Sequence, residues 1–269
     1  MNNAGTTAFT AGKLAIGSTT LTLKSAILNT VNEGLRGSAS SNLIVDGTVS
    51  QTLSFDQTTP GTSNALNTLS INNSGQTALL NRPIVITSTI NLTSGTLADA
   101  GNQITSTGII NLGTVTFKLG SPTVATVWLA FITNNILTGG TVLYASGLAQ
   151  TVSGVPTYQN LTISATNGTT AANDLNVNGV LNLSAANPSA VIGSFYISTY
   201  TLNMGGLATR TGAGDLTGII KRTTILPNIK YMLCSEFSYV IFPNTGTLPT
   251  QMSMKISIGT APSWQPGAI

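Results

Sequence analysis

Leu175-Asn-Val-Asn-Gly-Val-Leu-Asn-Leu183 is the stretch whose reading decides the fold. Leu175, Val177, Leu181 and Leu183 fall on one side of a period-two pattern, with Asn176, Asn178 and Asn182 on the other. Gly179 sits between the two halves, where the chain can bend. The pattern predicts short, half-buried β-strands joined by a tight corner. Variants recur outward from it: Leu161-Thr-Ile163 and Leu202-Asn-Met204 on either side, then Ile90-Asn-Leu92, Ile84-Val-Ile86 and Leu69-Ser-Ile71. Leu21-Thr-Leu23 and Leu14-Ala-Ile16 continue it towards the start.

Apolar residues at three-four spacing never persist beyond two turns, and β-branched residues with Gly dominate, so helices are not expected. Strands of three to five residues are short for a sandwich, whose strands average about 5–6 residues. Stacked repeats bury their faces against neighbouring repeats, which suits a long, monotonous sequence. The expected fold is all-β: a right-handed parallel β-helix (β-solenoid) followed by a partial β-sandwich-like module. The solenoid is placed at 1–210, in coils of about 20 residues that each rise about 4.8 Å, giving a rod on the order of 50 Å. Leu69-Ser-Ile71 returns as Leu161-Thr-Ile163 and Asn111-Leu-Gly113 as Asn203-Met-Gly205, an offset of about 92 residues. That offset divides the solenoid into two loosely related units, about 42–118 and 134–210, with no counterpart for Val124–Ile132. Outward Asn and Thr are expected to form hydrogen-bonded ladders along the axis, with Asn176, Asn178 and Asn182 on one outer or corner surface. From Arg210-Thr-Gly-Ala-Gly-Asp-Leu-Thr-Gly218 the character changes to longer strands broken by Pro227, Pro243 and Pro249. Met252, Met254, Ile256 and Ile258 alternate with polar residues, so 211–269 reads as the sandwich-like module, cut short at Ile269.

Only 6% of the 269 residues are charged, against about 25% in ordinary globular chains. The longest apolar run, Val127–Ile132, falls far short of the ~20 residues of a spanning helix, so no membrane insertion is expected. Polarity comes instead from Ser, Thr, Asn and Gln, which points to an extracellular or cell-surface setting. Ten basic and seven acidic residues leave a net charge of +3, and Lys221-Arg222 is the one adjacent basic pair; without a basic stripe, nucleic-acid binding is not expected. Cys234 is the single cysteine, which rules out an internal disulfide framework and a cysteine-based zinc site and reads as a small apolar core residue. Residues 1–12 have neither a basic n-region nor an apolar h-region, so the chain is expected to be a segment of something longer.

The absence of histidine excludes Ser–His–Asp and Cys–His nucleophile systems and His-ligated metals. The acids are Glu33, Asp46, Asp56, Asp99, Asp174, Asp215 and Glu236. Asp46 and Asp56 stand half a coil apart, and Asp56-Gln57 reads as a turn former rather than half of a carboxylate pair. Gly139-Gly140 and Gly205-Gly206 read as corners, since no Gly-Lys-Ser/Thr follows them, and calcium-binding Gly-Gly-x-Gly-x-Asp repeats are missing. No catalytic residue, cofactor or metal-ligand set is therefore predicted. Trp128 with Phe131, and Trp264 with Tyr158 or Tyr200, read either as core or coil-end packing or as sugar-stacking platforms. Trp128, Phe131, Tyr158 and Trp264 are carried as candidate glycan or partner contacts. The Asn-x-Ser/Thr triplets at Asn72, Asn91 and Asn160 are expected by chance in so Asn- and Thr-rich a chain.

Leu14-Ala-Ile-Gly-Ser-Thr-Thr-Leu-Thr-Leu23, Ser40-Ser-Asn-Leu-Ile-Val-Asp-Gly47, Leu53-Ser-Phe-Asp-Gln-Thr-Thr-Pro-Gly61 and Tyr158-Gln-Asn-Leu-Thr-Ile163 resemble the repeats of very large surface proteins of Bacteroidetes. The stretch from Gly218-Ile-Ile-Lys-Arg222 to Pro249–Pro262 looks like the β-module that often follows such repeats. The resemblance implies export, often by the type IX route, and a role as a gliding-motility adhesin or cell-surface fibre; it brings no catalytic motif. The expected function is a structural or adhesive segment acting as a rigid spacer and interaction surface. Expected partners are neighbouring segments of a longer chain or copies of itself head to tail, with glycans as a further class. A carbohydrate-binding or polysaccharide-cleaving β-helix is the second reading, and an ice-binding solenoid with a flat Thr face the third, disfavoured by irregular Thr spacing.

Overall fold

In a short amphipathic strand the buried side chains need an apolar neighbour, and the backbone needs a hydrogen-bonding partner on each edge. Coiling the chain so that each rung lies on the one before meets both needs at once. The computed structural model describes residues 2–3, 7–9, 13–29, 34–56, 61, 63–128, 137–184, 195–235 and 237–257. Over these it is a parallel β-helix of about 9 turns with no helix.

One face is built by β1 (Thr20–Leu23), β2 (Asn42–Val45), the middle of β3 (Ala65–Leu80) and of β4 (Ile84–Ala98), and the first part of β5 (Ile109–Leu119). Leu21 aligns with Leu43, Leu43 with Leu69, Leu69 with Ile90 and Ile90 with Ile110, and all five are buried. The last parts of β3, β4 and β5 turn a corner onto a second face, which begins one coil earlier with Gln51–Leu53. It continues through β6 (Thr141–Tyr144), β7 (Thr157–Ile163) and β8 (Leu175–Leu183). Its inward column is Ala78, Leu97, Phe117, Val142, Leu161 and Leu181. Shorter strands such as Ile104–Ser106, Gln150–Val152 and Thr169–Ala171 make the third side. These columns merge into one apolar core along the axis.

Gly179 is a corner, as its place in the pattern suggests. The ladder between β7 and β8 slips between Tyr158 and Asn160, opposite Val177 and Val180. A Cβ on Gly179 would lie 2.5 Å from the Gln159 carbonyl oxygen and 2.7 Å from Asn160 Oδ1, so the corner has no room for a side chain. Asn176 then aligns with Asn203 on the first face and Asn182 with Thr211 on the second, so the asparagines flank the corner on two faces instead of sharing one.

The repeat that organises the stack is the single coil. Leu69 stands in the first-face column and Leu161 in the second-face column, whereas Asn111 and Asn203 both lie on the first face, so the 92-residue offset joins like faces for one match and unlike faces for the other. Many coils advance by close to 20 residues, as from Asn91 to Asn111 and from Asn160 to Val180. The step from Thr116 to Thr141 spans 25 and that from Val180 to Thr209 spans 29; these coils contain 129–136 and 185–194, which lie outside the described residues.

The outer ladders form as the alternation implies. Asn42 Oδ1 accepts from Thr68 Oγ1 at 2.8 Å and Asn67 Nδ2 at 3.0 Å. Asn72 Nδ2 donates to Asp46 at 3.0 Å, Ser94 donates to Asn72 at 2.9 Å, and Asn111 Nδ2 donates to Asn91 Oδ1 at 2.7 Å.

Beyond residue 210 the parallel stack continues for one more strand. β9 (Phe195–Met204) and β10 (Thr209–Thr211) lie on β8, and β11 (Leu216–Arg222) pairs in parallel with β9. Chain direction then reverses. The hairpin of β12 (Lys230–Met232) and β13 (Tyr239–Ile241) is antiparallel, and β14 (Met252–Ile256) runs antiparallel along β11. Among the described residues of 211–269, the strand pairings are thus the parallel one of β11 to β9 and these two antiparallel ones.

Candidate functional site

Two of the four aromatic candidates lie inside the coils. Trp128 is 5% exposed, and Phe117 and Tyr158 meet it edge-on with ring centroids 5.8 and 6.2 Å away. Tyr158 is 0% exposed. Its hydroxyl donates to the Ser153 carbonyl at 2.7 Å, so in the 2.9 Å bond between the two tyrosines Tyr144 is the donor. Burial pushes the Tyr144 hydroxyl up to about 12 and the Tyr158 hydroxyl well above 10, so both stay protonated. Neither Trp128 nor Tyr158 presents a face to a sugar, which corrects that expectation: a ring large enough to stack on a glycan is also large enough to fill a coil, and burial is the stronger use. Phe131 and Trp264 lie outside the described residues. Tyr200 is partly buried against the core.

The described acids do not converge. Asp46 belongs to the outer ladder with Asn72, and Asp174 Oδ1 accepts the Thr201 N–H at 2.8 Å. Asp56 is more than a turn former. Its Oδ2 lies 2.7 Å from Arg36 Nε and 3.2 Å from Lys13 Nζ, tying three successive coils. Burial alone would raise this carboxyl, but the Ser63 hydroxyl, the Lys13 ammonium and the Arg36 guanidinium beside it outweigh burial and hold it below the usual carboxylate value. Roughly coil-length spacing of Lys13, Arg36 and Asp56 is the sequence signal for this rail. Asp99 is buried at the end of β4 and accepts from the N–H groups of Gly101 at 2.9 Å and Gly120 at 2.8 Å, and from Thr126 Oγ1 at 2.5 Å. Burial dominates there and pushes the carboxyl up, against the opposing pull of those donors and of Lys118. No group of three or more His, Cys, Asp or Glu able to hold a metal occurs among the described residues.

Two arginines occupy inward positions, which the sequence reading did not single out. Arg210 aligns with Leu181, and Arg222 with Met204, in the apolar columns; they are 3% and 1% exposed. Burial lowers the Arg222 pKa from its usual value. The signal was present: Leu216, Gly218, Ile220 and Arg222 share one parity of an amphipathic strand.

Outside the core, a groove of about 380 Å³ opens where the first face turns, lined by Asn91, Thr93, Asn111, Gly113 and Thr138 with Leu92 and Leu112. Asn111 and Asn91 spend one amide group each on their mutual bond. Among the described residues no other bond engages Asn111 Oδ1 or Asn91 Nδ2, an acceptor and a donor suited to a polar ligand. At the far end, the hairpin turns Tyr239 and Ile241 outward with Lys230, whose ammonium lies 4.2 Å from the Tyr239 ring centroid. Phe237 beside them is 83% exposed. Among the described residues, no helix is long and apolar enough to cross a membrane.

No protein-family model matches the chain, and searches of curated proteins and of solved structures found no match.

Proposed function

We propose that this chain is a structural and adhesive segment of a secreted bacterial cell-surface protein or extracellular fibre, a stiff β-solenoid spacer offering its polar flanks as interaction surface. The observation that supports the reading is the continuity of the inward columns, such as Leu21 through Ile110, with outer ladders such as Asp46–Asn72–Ser94 beside them. Bending such a stack opens backbone ladders on one side and apolar contacts on the other, so its stiffness comes from the same bonds as its stability. Several charged groups serve this architecture: Asp56 ties coils, and Arg210 and Arg222 end columns. The resemblance of its repeats to those of large Bacteroidetes surface proteins supports a cell-surface setting, in which neighbouring modules of a longer chain would be its first partners.

Small-angle scattering tests the spacer: nine rungs at about 4.8 Å give a stack on the order of 43 Å. A compact outline without a long axis counts against it. In the source organism, deleting 13–222 in frame is expected to weaken surface attachment while export continues, and unchanged attachment removes the adhesive part. The Asn91–Asn111 groove favours one second reading, glycan contact, because its amides are hydrogen-bonding partners suited to hydroxyls. A glycan array is expected to show signal that Asn111→Leu abolishes.

A further inference from the structure

The last coil differs from all the coils beneath it. The first-face column runs Tyr158, Val177, Met204 and then Arg222, and the second-face column runs Leu161, Leu181 and then Arg210. Arg222 Nη1 donates to the carbonyl oxygens of Ala208 at 2.6 Å and Gly205 at 3.3 Å, in the turn that follows β9. Arg210 Nη2 donates to the Gly214 carbonyl. Each guanidinium thus donates through one nitrogen to backbone carbonyls of the final turns and sits where the next apolar side chain of the column would rest.

Two further elements close this end. Tyr231 of β12 is buried, and its ring lies over the Arg222 guanidinium, 4.9 Å from carbon to ring centroid. Its hydroxyl accepts the Leu226 N–H at 2.7 Å, and Phe242 meets its ring edge-on at 6.3 Å. The edge of β11 that a further coil would need is already taken by β14, through Gly218–Ile256, Ile220–Met254 and Arg222–Met252. Since β14 is antiparallel, the direction of the stack is broken there. Open strand edges invite pairing with other chains, and covering them is how β-proteins remain discrete.

We infer that residues 216–257 form an end cap that closes the solenoid to extension by further coils, so copies of this chain do not join through this end. An incoming rung would have to displace β14 from β11 and set its apolar side chains on two guanidinium groups where the columns below offer apolar ones. The inference stands whether or not the segment is a spacer. It removes head-to-tail stacking of copies, which needs both ends, from the expected partners.

The test uses the full 269-residue chain in sedimentation velocity over a hundredfold concentration range. Wild type is expected to hold the 27.5 kDa monomer mass throughout. In the double variant Met254→Pro, Lys255→Pro, one proline falls on each of the two alternating kinds of position in the β11–β14 ladder, so at least one hydrogen bond to β11 is lost. Its weight-average mass is expected to rise roughly twofold with concentration as the β11 edge is uncovered. Concentration-dependent assembly of the wild type, or a folded double variant that stays monomeric, overturns the inference. Should the double variant fail to fold, Tyr231→Leu keeps the question open to refutation by hydrogen exchange. Amides of 216–222 and 230–241 are then expected to exchange at least tenfold faster, with those of 141–183 unchanged. Unchanged exchange in 216–222 shows that the ring does not hold the cap and overturns the inference.

Discussion

Val177 and Arg222 belong to the same inward column, two rungs apart, yet they obey different physics. Val177 has a rung on either side and is stabilised by leaving water. Arg222 has Met204 beneath it and, above it, the hairpin with Tyr231 in place of another coil. A body rung needs only apolar volume and a parallel neighbour. The terminal rung has turn carbonyls and a strand edge to satisfy as well, so it employs donors, an aromatic ring and a reversed strand. The body is therefore made of interchangeable units, whereas the end is specified residue by residue.

The largest effect expected from this contrast comes from placing a charge in a body column. Leu181→Asp, at a fully buried position, should destabilise by about 3–5 kcal/mol in urea unfolding, because the carboxylate would be buried without a partner. Leu207→Asp at the end, where the side chain is 73% exposed, should change stability by less than about 0.5 kcal/mol. Equal losses at the two positions would erase the distinction between body and end. The next effect is steric. Gly179→Ala sets a Cβ against the Gln159 carbonyl and should cost about 2–3 kcal/mol. Gly168→Ala meets nothing within 4 Å and carries only the strain of its +86° φ, about 1 kcal/mol. Arg222→Ala should come next, at about 2 kcal/mol, through the donors lost to Ala208 and Gly205. That loss should show as local opening of the hairpin in hydrogen exchange rather than as loosening of the body.

The smallest effects are those of pH, and they have opposite signs. The Asp56 carboxyl lies below its ordinary value of 3.8 in the folded chain, so its contribution is present above that value and is lost as pH falls through its folded pKa. The Asp99 carboxyl lies above 3.8, so its contribution is present below that value and is lost as pH rises through its folded pKa. In melting curves recorded from acid to neutral pH, Asp56→Asn should flatten the acid-side loss and Asp99→Asn the loss on raising pH. The reverse assignment would mean that burial, not pairing, governs Asp56.

Much of the body was legible from alternation alone. Strands at Asn42–Val45 and Leu175–Leu183 fall where Leu, Ile and Val keep one parity, and Gly179 marks the corner because nothing larger fits between Gln159 and Asn160. The long strands Ala65–Leu80 and Ile84–Ala98 read in sequence as several short ones, since a bend with continuous hydrogen bonding leaves the same sequence trace as a break. The 92-residue offset joins like faces at Asn111 and Asn203 but unlike faces at Leu69 and Leu161, because every face uses the same Leu-polar-Ile alphabet and resemblance between segments does not report which face they share. Trp128 and Tyr158 were ambiguous for a related reason: composition gives a ring its size but not its side of the strand. The arginines of the cap went unnoticed because charge normally signals the outside. Only the parity shared by Ile220 and Arg222 shows that Arg222 turns in.

The account rests on consecutive coils lying directly on one another, and an electron–electron distance tests that claim most directly. Thr77, Thr96, Thr116, Thr141, Asn160, Val180 and Thr209 are successive members of one outward row, so Thr77 and Thr209 are six rungs apart. With Cys234→Ser in the background and nitroxides at Thr77→Cys and Thr209→Cys, the stack predicts a single distance of roughly 29 Å along the axis, widened only by the label arms. A distance below about 20 Å, or a broad distribution with no dominant peak, would contradict a continuous parallel stack.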